Sequence, residues 1–138
     1  MGVVDDARMQ ALGLSAGRVA VGVSALVAPE FTGRLFGFPK ADLNPSAVTL
    51  ARLFGVREVA IGAANLLWLS RREPTRTLAA LNLVVDGGDA TACVAGLLGR
   101  RGGARANALT LLVALPVAAV WARMVVSLGD GGDAAVDA

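Results

Sequence analysis

The sequence contains no histidine and a single cysteine, and only 17% of its 138 residues are charged. Without histidine, His-ligated metal sites, histidine general bases and Ser-His-Asp triads are excluded. The lone cysteine, Cys93, excludes an intrachain disulfide and is uninformative about the redox compartment. The scarcity of charge bears on the class of protein, because a soluble domain usually carries about 25% charged residues.

Apolar residues are abundant instead: they make up 55% of the chain, they occur in blocks, and the mean hydropathy is +0.62. This pattern favours a small multi-pass membrane protein over the alternative, a soluble four-helix bundle with an unusually apolar core. The net charge of +2 comes from arginines in short loops, with Lys40 the only lysine, as expected beside lipid headgroups. No basic and aromatic stripe suits nucleic acid. The N-terminus carries Asp5 and Asp6 rather than a basic signal-peptide region, so we expect the first apolar segment to be retained.

Four apolar segments are predicted as transmembrane helices, at residues 11–28, 47–70, 77–98 and 107–128. The predicted fold is therefore all-α, a four-helix transmembrane bundle with a long first loop, forming one domain over residues 1–128. Residues 129–138 are predicted to be a disordered acidic tail. Gly13-x-x-x-Gly17 in the first segment is interpreted as a close helix-packing motif. The loop over residues 29–46 contains Phe31, Phe36 and Phe38 and is the predicted lid of a lipid-side entrance, the alternative being an ordinary amphipathic connector.

Four spans place both termini on one side of the membrane. Basic loop residues are nearly balanced between the two sides, so the positive-inside rule gives only a small preference. We expect a multi-pass protein of the cell membrane with cytoplasmic termini.

The third segment carries a polar stripe within its apolar sequence. At about 100° per residue, Asn82, Asp86, Asp89 and Cys93 fall on one arc of the helix. Ionisable groups inside a membrane-spanning helix are costly and mark candidate functional sites. We therefore interpret this arc as the inward face of the helix.

Other segments carry charges at the same predicted depth: Arg18 in the first, and Arg57 and Glu58 in the second. A central charge costs about 3 kcal/mol on membrane insertion, so these groups are expected to meet Asp86 and Asp89 in one interior site. Arg57 and Glu58 should reach different partners, because neighbouring helical residues point about 100° apart. The alternative is a set of buried ion pairs that only fixes the helix register.

Four further residues are candidates for substrate binding beside these charges: Asn82, Asn65, Arg52 and Cys93. No metal is predicted, because the arginines compete with a cation for the three carboxylates. No cofactor is predicted either. The fourth segment has no central charge and is expected to supply an apolar wall.

The second segment contains Arg52-x-x-Gly55-x-Arg57-Glu58-x-x-x-Gly62. With this motif, four short predicted spans and a first loop rich in Phe, Gly and Pro, the chain resembles the DoxX-like group of small bacterial membrane proteins. The resemblance covers about residues 12–128. It implies a fold more than an activity, because most members of that group are uncharacterised.

These features predict a membrane-embedded enzyme that performs cofactor-independent acid/base chemistry on a lipophilic small molecule: isomerisation, cyclisation or epoxide opening. Asp86 and Asp89 are the predicted acid/base pair, one ionised against an arginine and the other protonated. Asp86 is the more central of the two, with Asn82 orienting it one turn away. Glu58 is a second candidate, and Arg18 and Arg57 orient carboxylates or stabilise an oxyanion.

Two other functions stay open. One is a proton-coupled transporter or exporter subunit, for which a homo-oligomer is expected because four short helices enclose little volume. The other is a structural membrane partner with buried ion pairs. In each case the bilayer is a partner and nucleic acid is not.

Overall fold

The computed structural model describes residues 2–99 and 103–129, and within these ranges the chain is all-α, as predicted. It forms five α-helices and one 3₁₀ turn: α1 (Val3–Val27), α2 (Pro29–Leu35), the turn (Lys40–Asp42), α3 (Pro45–Arg71), α4 (Arg76–Leu98) and α5 (Ala104–Gly129). The predicted count of four helices is not confirmed, because the first loop contains α2. The four predicted segments correspond to α1, α3, α4 and α5, and each helix begins earlier than predicted. The predicted tail lies outside the described residues except for Gly129, which ends α5.

Local sequence signals explain where several helices begin. The Asn44 side chain accepts a hydrogen bond from the amide of Ala47 at 3.0 Å, and Pro45 occupies the first turn of α3. Thr75 caps α4 in the same way, through the amide of Leu78 at 3.2 Å. The segment after α2 turns at Gly37, whose φ of +86° favours glycine.

Two glycines bring α1 and α3 into backbone contact. A Cβ on Gly22 would lie 2.8 Å from the carbonyl oxygen of Gly55, and a Cβ on Gly55 would lie 2.7 Å from that of Gly22. The predicted packing motif is not at this contact: ideal Cβ atoms on Gly13 and Gly17 meet nothing within 4 Å. Close packing of α1 therefore depends on a different glycine from those in the Gly-x-x-x-Gly spacing.

The second helix pair is α4 with α5, and an apolar cluster joins it to α1 and α3. The cluster lies near the start of α1 and the end of α5 and combines small residues with one large aromatic one. Its buried members are Ala7, Ala11, Leu69, Leu78, Ala79, Trp121 and Met124. Further along the bundle, polar side chains take over the contact between the two pairs.

Three helices, α1, α4 and α5, are long and apolar enough to cross a membrane. Helix α3 is as long, at 27 residues, but is not among them; it carries Arg57 and Glu58 at its centre and Arg52 nearer its start. Large apolar side chains also face outward, as at Val84, which is 73% exposed, and Leu112, which is 70% exposed. The chain thus has the composition and surface of a membrane protein.

Candidate functional site

Five charged side chains from three helices form one continuous series of ion pairs. Arg18 of α1 donates to Glu58 Oε2 at 2.9 Å and to Asp86 Oδ1 at 2.5 Å. Arg57 donates through Nη2 to Glu58 Oε1 at 3.0 Å and to Asp89 Oδ2 at 2.6 Å. Asp86, Arg18, Glu58, Arg57 and Asp89 are therefore linked in that order, and we call them the charge cluster. The five residues come together as the sequence predicted.

Glu58 is the centre of the charge cluster because both of its oxygens are engaged. Oε2 accepts from Arg18, while Oε1 accepts from both Nε and Nη2 of Arg57. The prediction that Arg57 and Glu58 reach different partners is correct only in part. Each has a partner of its own, Asp89 for Arg57 and Arg18 for Glu58, but the two side chains also bind each other. The Arg57 guanidinium lies over the Phe54 ring, with Cζ 5.3 Å from the ring centroid.

Burial differs along the charge cluster. The Arg18 and Glu58 side chains are 6% and 8% exposed, whereas those of Arg57 and Asp89 are 41% and 34% exposed. Asp86 is buried, and its Oδ2 has no hydrogen-bond partner among the described residues. One end of the cluster is thus enclosed with an unused carboxyl oxygen, while the other is more open.

The two asparagines lie apart from the charge cluster and bind each other. Asn65 Nδ2 donates to Asn82 Oδ1 at 2.9 Å, and Asn82 Nδ2 donates to Asn65 Oδ1 at 3.3 Å and to the carbonyl of Leu78 at 2.9 Å. The expectation that Asn82 orients Asp86 is wrong, because its amide is committed to these partners. The pair borders a separate cavity of about 180 Å³ that Trp68 also lines.

The other two predicted substrate-binding residues have different positions. Arg52 is exposed, and its side chain has no hydrogen bond or ion pair to any described residue, so it is not part of the charge cluster. Cys93 is buried on the same face of α4 as Asn82 and Asp86, and it lines a cavity of about 420 Å³. Arg52 therefore lies on the predicted helix but not beside the other charged candidates.

Two cavities adjoin the charge cluster. The larger, of about 420 Å³, is mainly apolar and reaches Arg57, Asp89 and Cys93. The smaller, of about 280 Å³, is a cleft between α1 and α5 that reaches Arg18, Glu58 and Asp86. Both are lined by Phe36, Phe54, Asp89 and Thr110. The four shared residues make these cavities neighbours, and the cavities meet at Asp89, the more open end of the charge cluster.

Several lining residues were not predicted from the sequence. Phe54 and Thr110 line both cavities, Asn107 lines the larger, and Gly13 and Gly17 line the cleft. The α5 wall is therefore not purely apolar, contrary to expectation. The polar residues of α5 were the available signal, because they interrupt an otherwise apolar segment.

The described residues hold no group of three His, Cys, Asp or Glu side chains able to bind a metal ion. The three carboxylates of the charge cluster instead face guanidinium groups. What this arrangement can do chemically is hold, accept or donate protons, and orient a polar group at the end of an apolar cavity.

Comparison with known proteins places the chain in one family. Residues 15–125 match the model described as "Domain of unknown function (DUF4267)". The chain belongs to this family. No curated protein and no solved structure matches it. The matched region contains all five members of the charge cluster, so the DUF4267 match covers the whole candidate site.

Proposed function

We propose that this DUF4267 protein is a membrane-embedded enzyme that performs acid/base chemistry on a lipophilic small molecule. Helices α1, α3, α4 and α5 cross the bilayer as a four-helix bundle, and the charge cluster lies near its midplane. The observation that carries the proposal is the apolar cavity of about 420 Å³ that ends at Arg57 and Asp89. Its volume falls within the roughly 300–1,000 Å³ typical of small-molecule sites.

Burial of three of the five charges, those of Arg18, Glu58 and Asp86, supports a function over simple scaffolding. Buried ion pairs stabilise a fold no better than apolar residues of similar volume in many cases. Here three carboxylates and two guanidinium groups lie beside two cavities rather than within packed side chains. Groups positioned in this way can reach a bound molecule.

The contacts of the carboxylates suggest their roles. Asp89 receives two hydrogen bonds from Arg57, at 2.6 and 3.3 Å, and lines both cavities, so we assign it the role of base. Asp86 has one oxygen on Arg18 and one without a partner, so it can take up a proton at the second oxygen and donate it as the acid. Glu58 is held at both oxygens by arginines and would position Arg18 and Arg57.

Isomerisation, cyclisation and epoxide opening all need only an acid and a base. In epoxide hydrolysis, for example, the base removes a proton from water, and the water oxygen forms a bond to one epoxide carbon. The carbon–oxygen bond of the ring breaks, and the acid donates its proton to the released oxygen. Asp89 and Asp86 would fill these two roles.

Substrate would enter from the lipid side past the segment that contains α2. Phe36 and Phe38 of this segment line the larger cavity, as does Thr32 of α2. This supports the predicted role of residues 29–46 as a lid. We also propose that the protein is related to the DoxX-like group and that it lies in the cell membrane with both termini in the cytoplasm.

The test compares product formation with thermal stability. Lipophilic extracts of cells with and without the gene are compared by mass spectrometry to find the compound that is converted. Asp86→Asn and Asp89→Asn are then assayed for that conversion and for melting temperature in detergent. We expect folded proteins whose turnover is at least about a hundredfold lower, the usual scale for lost acid/base catalysis.

Full activity of both variants would contradict the enzyme proposal. A large fall in melting temperature, with conversion retained per folded molecule, would assign the charge cluster to structure instead. Asp6→Asn is the matched control, because Asp6 is exposed and lies outside both the charge cluster and the lid.

A further inference from the structure

The charge cluster contains one more carboxylate than guanidinium group. Its acidic members are Glu58, Asp86 and Asp89, and its basic members are Arg18 and Arg57. With every group ionised, the cluster carries a net charge of −1. A single charge in a low-dielectric setting is costly unless a partner of opposite sign accompanies it.

The arginines of the charge cluster are already committed to its own carboxylates. Both terminal nitrogens of Arg18 donate, one to Glu58 and one to Asp86. Arg57 donates to Glu58 and, through both terminal nitrogens, to Asp89. An anionic ligand such as a fatty acid would therefore have to displace a carboxylate from a guanidinium group.

The hydrogen-bond contacts indicate that the excess negative charge of the cluster lies at Asp86. This residue is 7% exposed, lines the cleft between α1 and α5, and has an Oδ2 without a hydrogen-bond partner among the described residues. By contrast, both oxygens of Glu58 and both oxygens of Asp89 accept hydrogen bonds from arginine. Asp86 is thus the carboxylate best able to take a new partner.

Aromatic rings lie beside this charge. Phe36 and Phe54 line both the cleft and the larger cavity, and Phe38 lines the larger cavity. Aromatic faces attract cations, and the attraction increases when water is excluded. The described residues offer no three-ligand set for a metal ion, so the fitting cation is an organic one.

We propose that the ligand of this site is a lipophilic cation, that is, an apolar molecule bearing an amine or quaternary ammonium group. The cationic group lies between Asp86 and the phenylalanine rings, and the apolar body occupies the larger cavity. This inference rests on the proposed function and specifies its substrate class. It excludes fatty acids and lipophilic phosphates.

Three probes with the same alkyl chain test the charge preference: decyltrimethylammonium, decanol and decanoate. Binding to the full chain in phosphatidylcholine nanodiscs is measured by equilibrium dialysis, and uptake by empty nanodiscs is subtracted. We expect the cation to bind at least about tenfold more tightly than the alcohol, with no binding of decanoate.

Two variants remove the excess charge from different positions, so the test does not depend on the folding of one protein. Asp86→Asn and Asp89→Asn should each reduce the preference for the cation over the alcohol by about tenfold or more. The control Asp6→Asn should leave that preference unchanged, because Asp6 is exposed in the first turn of α1 and lies outside the charge cluster and the lid.

Equal or tighter binding of decanol or decanoate would overturn the inference. If decanol binds and the cation does not, the inference fails while a lipophilic site, and with it the proposed function, is supported. If none of the three probes binds above empty nanodiscs, both the inference and the proposed function are contradicted.

Discussion

Neutralising Glu58 should damage the fold far more than neutralising Asp86, although both are buried carboxylates bonded to Arg18. Glu58 uses both oxygens, one for Arg18 and one for Arg57. In Glu58→Gln the amide nitrogen must face one of these guanidinium groups, which places two donors against each other. Breaking a buried ion pair by changing one partner costs about 3–5 kcal/mol, and we expect a loss of this size.

Asp86→Asn is different because only one oxygen of Asp86 is bonded. The asparagine oxygen can keep the bond to Arg18 while its amide nitrogen takes the place of the unpartnered Oδ2. Arg18 also retains its bond to Glu58 at 2.9 Å. The expected loss is therefore about 1 kcal/mol, the usual net value of one hydrogen bond.

The assay is reversible unfolding in mixed micelles, followed by circular dichroism, with the free energy of unfolding obtained by linear extrapolation. Glu30→Gln reports the effect of the same chemical change at an exposed position and should lie within about 0.5 kcal/mol of the wild type. If Asp86→Asn were destabilised as much as Glu58→Gln, the assignment of Glu58 as the centre of the cluster would be refuted.

Further predictions concern packing, access and topology. Gly22→Ala should lower the free energy of unfolding by about 1–3 kcal/mol in the same assay, because its Cβ would lie 2.8 Å from the α3 backbone. Gly88→Ala should leave that free energy unchanged or raise it, because a Cβ at Gly88 meets nothing within 4 Å. Asn82→Leu should lower the free energy of unfolding by about 1–3 kcal/mol, because it leaves the buried Asn65 amide without its partner. Changing both asparagines to leucine should restore much of this loss, and additive losses in a double-mutant cycle would contradict the pairing. Cys93 should react with a small uncharged maleimide and not with a charged thiol reagent, as read by mass spectrometry, because it lines an apolar cavity; equal reaction rates would contradict this. Reporter fusions should place both termini on one side of the membrane, and opposite sides would exclude four spans.

Helical spacing in the sequence was enough to predict the inward face of α4. Three of the four residues predicted to lie on it, Asn82, Asp86 and Cys93, are buried, whereas Asp89 is partly exposed. Opposite charges at the same depth in different segments were enough to predict that Arg18, Arg57 and Glu58 lie together, since isolated charges in apolar helices need partners. The helical period and the charges of the side chains are therefore enough to predict both features.

What spacing could not supply was the rotation and neighbours of each helix. Gly13 and Gly17 have the spacing of a packing motif but border a cleft, whereas α1 meets α3 through Gly22. Arg52 lies on α3 but faces outward, and Asn82 bonds to Asn65 rather than to Asp86. Each outcome depends on which helix lies alongside, which a single sequence does not specify.

The most direct test of the central claim is a crystal structure grown from a lipid phase in the presence of the converted compound. We expect a molecule in the larger cavity, bounded by Phe36 and Phe54, with a polar atom within hydrogen-bond distance of Asp86 or Asp89. A cavity filled by side chains, or a compound bound elsewhere with the charge cluster sealed from it, would contradict the account.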